Sequence, residues 1–222
     1  MAKALGFSKS STHGLIRALV AAGALEENPD RKTYHLGPAI MELAFRSWNY
    51  LRVSRQAQPV LEELRNRIGE TVFLGVLSRS RGIIVASAEA SRPLNISSPP
   101  GTTIPLIAGA VGKAYLSRFE PEQALKLIEE HGLPQFTERS IRSHSEYMAE
   151  LSRVRRQGYA LDDEEYLPGV KAVAVALGNI RGLPLAVWVV GFSGTMSDDR
   201  LPGIVEETLA ASERLKRMLK ED

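Results

Sequence analysis

The chain has 222 residues, 44% hydrophobic and 24% charged, with a formal net charge of +2, values of an ordinary globular protein with room for one or two packed domains. There is no cysteine, which excludes disulfide scaffolds, thiolate metal sites and cysteine nucleophiles, and the four histidines (His13, His35, His131, His144) are too dispersed to suggest a metal centre. No apolar run is long enough to span a bilayer and the start lacks a signal-peptide core, so a cytoplasmic protein without membrane attachment is expected.

The charge is unevenly spread: residues 1–53 hold seven Lys/Arg against four acids, and the remainder is close to neutral. A basic segment ahead of a larger neutral body is the layout of a nucleic-acid reader joined to a regulatory domain, although a fluctuation of three charges gives the same excess. Ser8 is a good helix N-cap, and Thr12, Leu15, Ile16, Leu19 and Val20 recur at helical spacing up to Gly23. The other face of that helix presents Lys9, Ser10, His13 and Arg17, donors suited to base edges and phosphates in a major groove. Ala2–Leu5 and the Gly6-Phe7-Ser8 turn ahead of it complete a helix-turn-helix spacing. Two short strands around Ala24–Glu26 and Thr33–Leu36 flank a turn carrying Arg31 and Lys32 and read as a wing.

Pro38 suits the first turn of a further helix, whose stripe of Ile40, Met41, Leu43, Ala44, Trp48 and Leu51 needs a partner. Beyond it, helix-like and strand-like segments mix without strict alternation: a helix over 55–68, strands over 71–77 and 83–88 joined by the turn 79–82, and a sheet extension at 94–97. Helices follow over 108–118, 122–130 and 145–157, then strands over 170–177 and 185–192 and a terminal helix over 201–219. This order favours an α+β domain over a doubly wound one.

Three motifs invite chemistry. GAVGKA fails as a phosphate loop, because Ile107 and Ala114 stand where Gly and Ser/Thr are needed. Its small residues either expose helix-start amides to a carboxylate or let the helix pack closely on a sheet. The run Asp162-Asp163-Glu164-Glu165 reads as a solvated loop or as an acid/base or metal cluster. Asp162 and Lys113 with nearby Glu residues keep an enzyme in view, but no nucleophile elbow, metal-ligand spacing or paired His and Ser motif supports one.

The stretch from AKALGFSKSSTHGLIRALV through the wing to LGPAIMELA resembles the winged helix of IclR-type bacterial transcription regulators. The blocks GETVFLGVL, RPLNISSPPGTTIPL with AGAVGKAYL, and RRQGYALDDEEYLPGVKAVAVAL resemble the effector-binding domain of the same family, a relative of GAF and PAS sensors. The resemblance implies a winged helix-turn-helix over 1–37, a linker helix over 38–53 that contributes to dimerisation, and an effector domain over 54–222 with an antiparallel sheet flanked by helices. It implies a ligand-responsive regulator or repressor, not an enzyme, without cofactor or metal, acting as a homodimer or tetramer on a double-stranded DNA operator. Two departures stand out: the family has a further helix ahead of this start, so the module reads as incomplete and would leave Leu15, Ile16 and Leu19 uncovered, and Gly14 stands where Arg is common. A stand-alone sensor or dimerisation module without DNA binding is the alternative.

The resemblance also places Asp162 in an effector pocket, lined further by Ile96, Ile104, Ala110, Val111, Val170, Ala172, Trp188 and Val190. Family members that recognise small oxoacids usually have Cys at the position of Ala172 and hydroxyl residues at those of Trp188 and Val190. A more apolar pocket, suited to an aromatic or mostly apolar organic acid, is therefore expected.

Overall fold

The structure, a computed structural model, describes residues 2–46, 48–78 and 81–220. The chain forms two compact units, Met1–Leu51 and Arg52–Asp222.

In the first unit, α1 (Ala2–Leu5) is followed by α2 (Lys9–Ala21). Ser8 caps α2 as its residue type predicts, its hydroxyl accepting the Ser11 N–H at 3.1 Å. Beyond Gly23, in the left-handed region at φ +69°, β1 (Leu25–Asn28) pairs antiparallel with β2 (Thr33–Leu36). The connecting turn is held by Asn28 Oδ1, which accepts the N–H groups of Asp30 and Arg31 at 3.1 Å each. Leu15 and Leu19 of α2 are exposed, Ile16 is half-buried, and Thr12 is the helix's one buried residue.

Residue 47, within the linker expected over 38–53, lies outside the described residues. α3 (Pro38–Arg46) precedes α4 (Trp48–Ile68), and α4 runs unbroken through the boundary placed at residue 54. The reason is the continuous helical period of Val53, Ala57, Val60, Leu61, Leu64 and Ile68, all buried, which gives the chain no cause to break there. Met41, Leu43 and Leu51 of the stripe are exposed. The side chains of Ala44 and Trp48 lie outside the described residues.

The second unit is built on one antiparallel six-stranded sheet, in the order β5-β4-β3-β8-β7-β6. Its strands are β3 (Thr71–Leu77), β4 (Arg81–Ala88), β5 (Thr103–Pro105), β6 (Ala160–Asp163), β7 (Val170–Ile180) and β8 (Leu183–Phe192). Most of these agree with the period-2 reading, and Arg79 and Ser80 of the expected turn lie outside the described residues. Two strands differ. The extension expected at 94–97 is a loop, held where Asn95 donates to the Ala90 and Arg92 carbonyls, and the edge strand forms at β5 instead. The acidic run is no solvated loop: Asp162 and Asp163 lie in β6, paired with Ala172 and Lys171.

Strand alternation separates two cores. On one face Val72, Leu74, Val76, Val173, Val175, Val187 and Val189 pack against α4 and α8 (Leu201–Lys220). On the other, Phe73, Ala172, Ala174, Ala186 and Trp188 meet α5 (Gly109–Leu116). α6 (Pro121–His131) and α7 (His144–Gln157) form a smaller core with Leu106 and Leu116. Residues 108–118, 122–130 and 145–157 are thus helical as expected, with ends shifted by one to two residues, and Gly158 closes α7 at φ +84°. This mixed α+β unit, a curled antiparallel sheet flanked by helices, is the fold class the sequence implies.

Candidate functional site

Between the α5 side of the sheet and the loop 96–102 lies a cavity of about 200 Å³. All nine residues carried over from the family resemblance line it: Ile96, Ile104, Ala110, Val111, Asp162, Val170, Ala172, Trp188 and Val190. The wall also includes Phe73, Ile84 and Thr103 from the sheet, Ser98 and Thr102 from the loop, Ala108 and Gly109 at the start of α5, and Tyr166 and Leu167 after β6. Phe73 was within reach of the sequence only if β3 was known to lie beside β8, where it pairs directly with Trp188, their rings 5.6 Å apart.

Trp188 has its place because Gly75 has no side chain. A Cβ there would stand 2.7 Å from two carbons of the indole ring. The small residues of α5 serve two purposes that sequence alone left open. Gly112 allows close packing, since its Cβ would fall 1.8 Å from the Leu106 carbonyl oxygen. Gly109 instead makes room for Asp162: its Cβ would lie 2.3 Å from Asp162 Oδ2, and its φ is +58°. α5 therefore begins directly against a carboxylate, and its N-cap, Ala108, has no side-chain acceptor for the first amides.

Asp162 is 4% exposed. Its Oδ1 accepts the backbone N–H of Glu165 at 2.7 Å and of Tyr166 at 3.4 Å. Burial raises its pKa from 3.8 to about 6, against the pull of those two N–H groups. Tyr166 is itself fixed edge-on against Phe136, ring centroids 4.9 Å apart. The rest of the acidic run is engaged: Asp163 pairs with Arg139 at 2.8 Å, and Glu164 accepts from Ser193 at 2.8 Å and from the Gly169 N–H at 3.0 Å.

Lys113 does not line the cavity. It is buried on the α7 side of α5, pairing with Glu165 at 2.5 Å and Glu150 at 3.7 Å. Nearby, the Tyr147 hydroxyl is buried without a hydrogen-bond partner among the described residues, and burial pushes its pKa up. With Lys113 turned away, the group that kept an enzyme in view reduces to a lone carboxylate in an apolar cavity. Among the described residues, no group of three or more His, Asp or Glu could hold a metal ion, and no helix is long and apolar enough to cross a membrane.

In the first unit Lys9, Ser10, His13, Arg17, Arg31 and Lys32 are all exposed. Lys32 sits at the tip of the β1–β2 turn with a φ of +50°. Because Leu15 and Leu19 of α2 are exposed too, exposure alone does not single out one face of that helix.

Comparison with known proteins agrees with this architecture. Residues 46–217 match the family model described as bacterial transcriptional regulator IclR C-terminal. The chain is similar to the HTH-type transcriptional regulator BhcR of Paracoccus denitrificans, 30% identical over 220 residues, covering 97% of this chain and 77% of that protein. Its fold is similar to that of an IclR transcriptional regulator from Alicyclobacillus acidocaldarius, at 24% identity and a TM-score of 0.80 over 98% of this chain and 88% of that one. It is also similar to the inducer-binding domain of the PobR transcription factor from Acinetobacter, a double mutant in complex with 3-hydroxybenzoic acid. There the identity is 25% and the TM-score 0.66, over 73% of this chain and 97% of that one.

Proposed function

This chain belongs to the IclR family of bacterial transcriptional regulators, and from that premise we propose that it binds double-stranded operator DNA through its first unit, under the control of an organic acid taken up by the cavity of its second. The observation that carries the reading is the cavity: about 200 Å³, walled mostly by apolar side chains with the hydroxyl residues Ser98, Thr102, Thr103 and Tyr166, and with one buried carboxylate at the start of α5. Val190 and Ala172 offer no hydrogen bonds and Trp188 only its single indole N–H, so the effector has an apolar or aromatic body and few polar groups. The aromatic acid held by the Acinetobacter relative supports that choice.

On the DNA side, Lys9, Ser10, His13 and Arg17 face the major groove and Arg31 and Lys32 the flanking backbone. Their exposure and the cationic wing tip support this. In this reading the winged helix covers 1–37, the linker 38–53 and the effector domain 54–222, the last boundary falling inside α4, and the linker residues Met41, Leu43 and Leu51 are covered by a second copy in a homodimer or tetramer, which their exposure supports. An effector that binds one arrangement of the dimer better than another shifts the spacing of the two recognition helices and with it the DNA affinity.

The cavity reading is tested by titrating the full chain with benzoate, 3-hydroxybenzoate and glyoxylate, reading heat and the tryptophan fluorescence that Trp188 shares with Trp48. The aromatic acids should bind, glyoxylate should not, and Ala172→Phe, which fills the cavity, should abolish the binding. Tight binding of glyoxylate, or aromatic-acid binding unchanged in Ala172→Phe, would contradict it.

A further inference from the structure

The cavity pairs an expected acid ligand with a wall that has no counter-charge: among the described residues, nothing lining it is Lys, Arg or His. Its single charged side chain is Asp162, whose Oδ2 already abuts the start of α5, the place where helix amides would favour an incoming carboxylate. Of the charged and titratable groups around Asp162, Lys113 favours a negative charge there but does not line the cavity. Lys113 on α5 is engaged by Glu165 and Glu150, and Glu165 itself adds negative charge. From α7 come Glu150 and the neutral Tyr147, and from the loop Tyr166. Across the ladder stands Ala172, while Lys171 and Asp163 pair with each other at 3.1 Å on alternate positions of β7 and β6. Two ionised carboxylates cannot share such an enclosure without a large electrostatic penalty, and a single proton between them removes it.

We propose that the cavity takes up its carboxylic-acid ligand together with one proton, which the ligand carboxyl and Asp162 share as a hydrogen-bonded pair at the start of α5. The inference rests on the effector reading above and makes the regulator's response depend on pH as well as on ligand concentration. The already raised pKa of Asp162, about 6, is consistent with it, since the proton is then held loosely near neutrality and more firmly once a second carboxylate arrives.

The test uses the full chain with benzoate and 3-hydroxybenzoate, and with benzyl alcohol as the uncharged counterpart. From about pH 6.5 to about pH 8.5 the Kd of the two acids should rise by up to about tenfold per pH unit, while that of benzyl alcohol changes by less than about twofold. Calorimetry at one pH in two buffers of different ionisation heat should count about one proton taken up per acid bound. Asp162→Asn, whose amide can donate to a carboxylate, should bind the acids with no pH slope. The proton count on the unaltered protein stands even if that variant does not fold. Acids that bind with a flat pH profile and no proton uptake would overturn the inference and leave the cavity reading intact. Failure of both acids and the alcohol to bind at millimolar concentration would overturn the cavity reading, and the inference with it.

Discussion

Replacing Gly109 by alanine probes the site without removing any functional group. The new Cβ would fall 2.3 Å from Asp162 Oδ2 and 3.2 Å from its Cγ, far inside contact distance. The backbone there has φ +58°, which costs an alanine about 1–2 kcal/mol. Crowding a packed, buried neighbour adds about 1–3 kcal/mol, for a total loss of about 2–5 kcal/mol. Urea unfolding followed by circular dichroism measures it, with Gly194→Ala as the control, because no atom lies within 4 Å of a Cβ at that position; that change should stay within about 0.5 kcal/mol. In an Asp162→Ala background the crowding is gone and only the backbone cost, about 1–2 kcal/mol, should remain. An unchanged stability, or the same loss in both backgrounds, would refute the assignment of Gly109 as the space that seats Asp162.

Three further outcomes follow from the same geometry. The folded-state pKa of Asp162 lies above its ordinary value, so the native state holds the extra proton between about pH 4 and 6, and this stabilising contribution is complete below pH 4 and lost as pH rises through 6. Relative to the unaltered protein, Asp162→Asn should therefore gain about 2 kcal/mol between pH 4 and pH 7 by urea unfolding; no relative gain would place the carboxyl in solvent. Lys113→Met strands the partly buried Glu165 and Glu150 and should lower stability by about 3 kcal/mol, whereas a loss below about 1 kcal/mol would show that the pair is solvated. Arg17→Ala should weaken operator binding by about 1–3 kcal/mol in anisotropy titrations if the guanidinium reads a base, and unchanged affinity would take α2 off the DNA.

The elements that sequence reading found are those whose local signals agree with their surroundings. Ser8, the period of Val53 to Ile68 and the alternation of β3, β7 and β8 are strong because the same residues that set local preference also face a core. β6 escaped because two of its four residues are aspartates, poor strand formers, and it forms by pairing with β7, a neighbour nearly ten residues on. β5 escaped because the prolines around it hide an edge strand of three residues. Within the site, the family resemblance led to nine wall positions, yet Phe73, Gly109 and Tyr166 depend on strand order and loop path, which no spacing encodes. Lys113 shows the same limit: a lysine one turn from the start of α5 suggests a pocket group, but helix rotation puts it on the α7 side with Glu165 and Glu150.

The central claim, a DNA reader governed by a ligand cavity, is tested most directly by selecting sheared genomic DNA of the source organism on the full chain, with and without the tightest-binding aromatic acid, and sequencing what is retained. Enrichment of a few fragments that share an inverted repeat is expected, with retention changed by the acid and unchanged by it in Ala172→Phe. Retention of DNA without sequence preference, or enrichment indifferent to the acid in the unaltered protein, would contradict it.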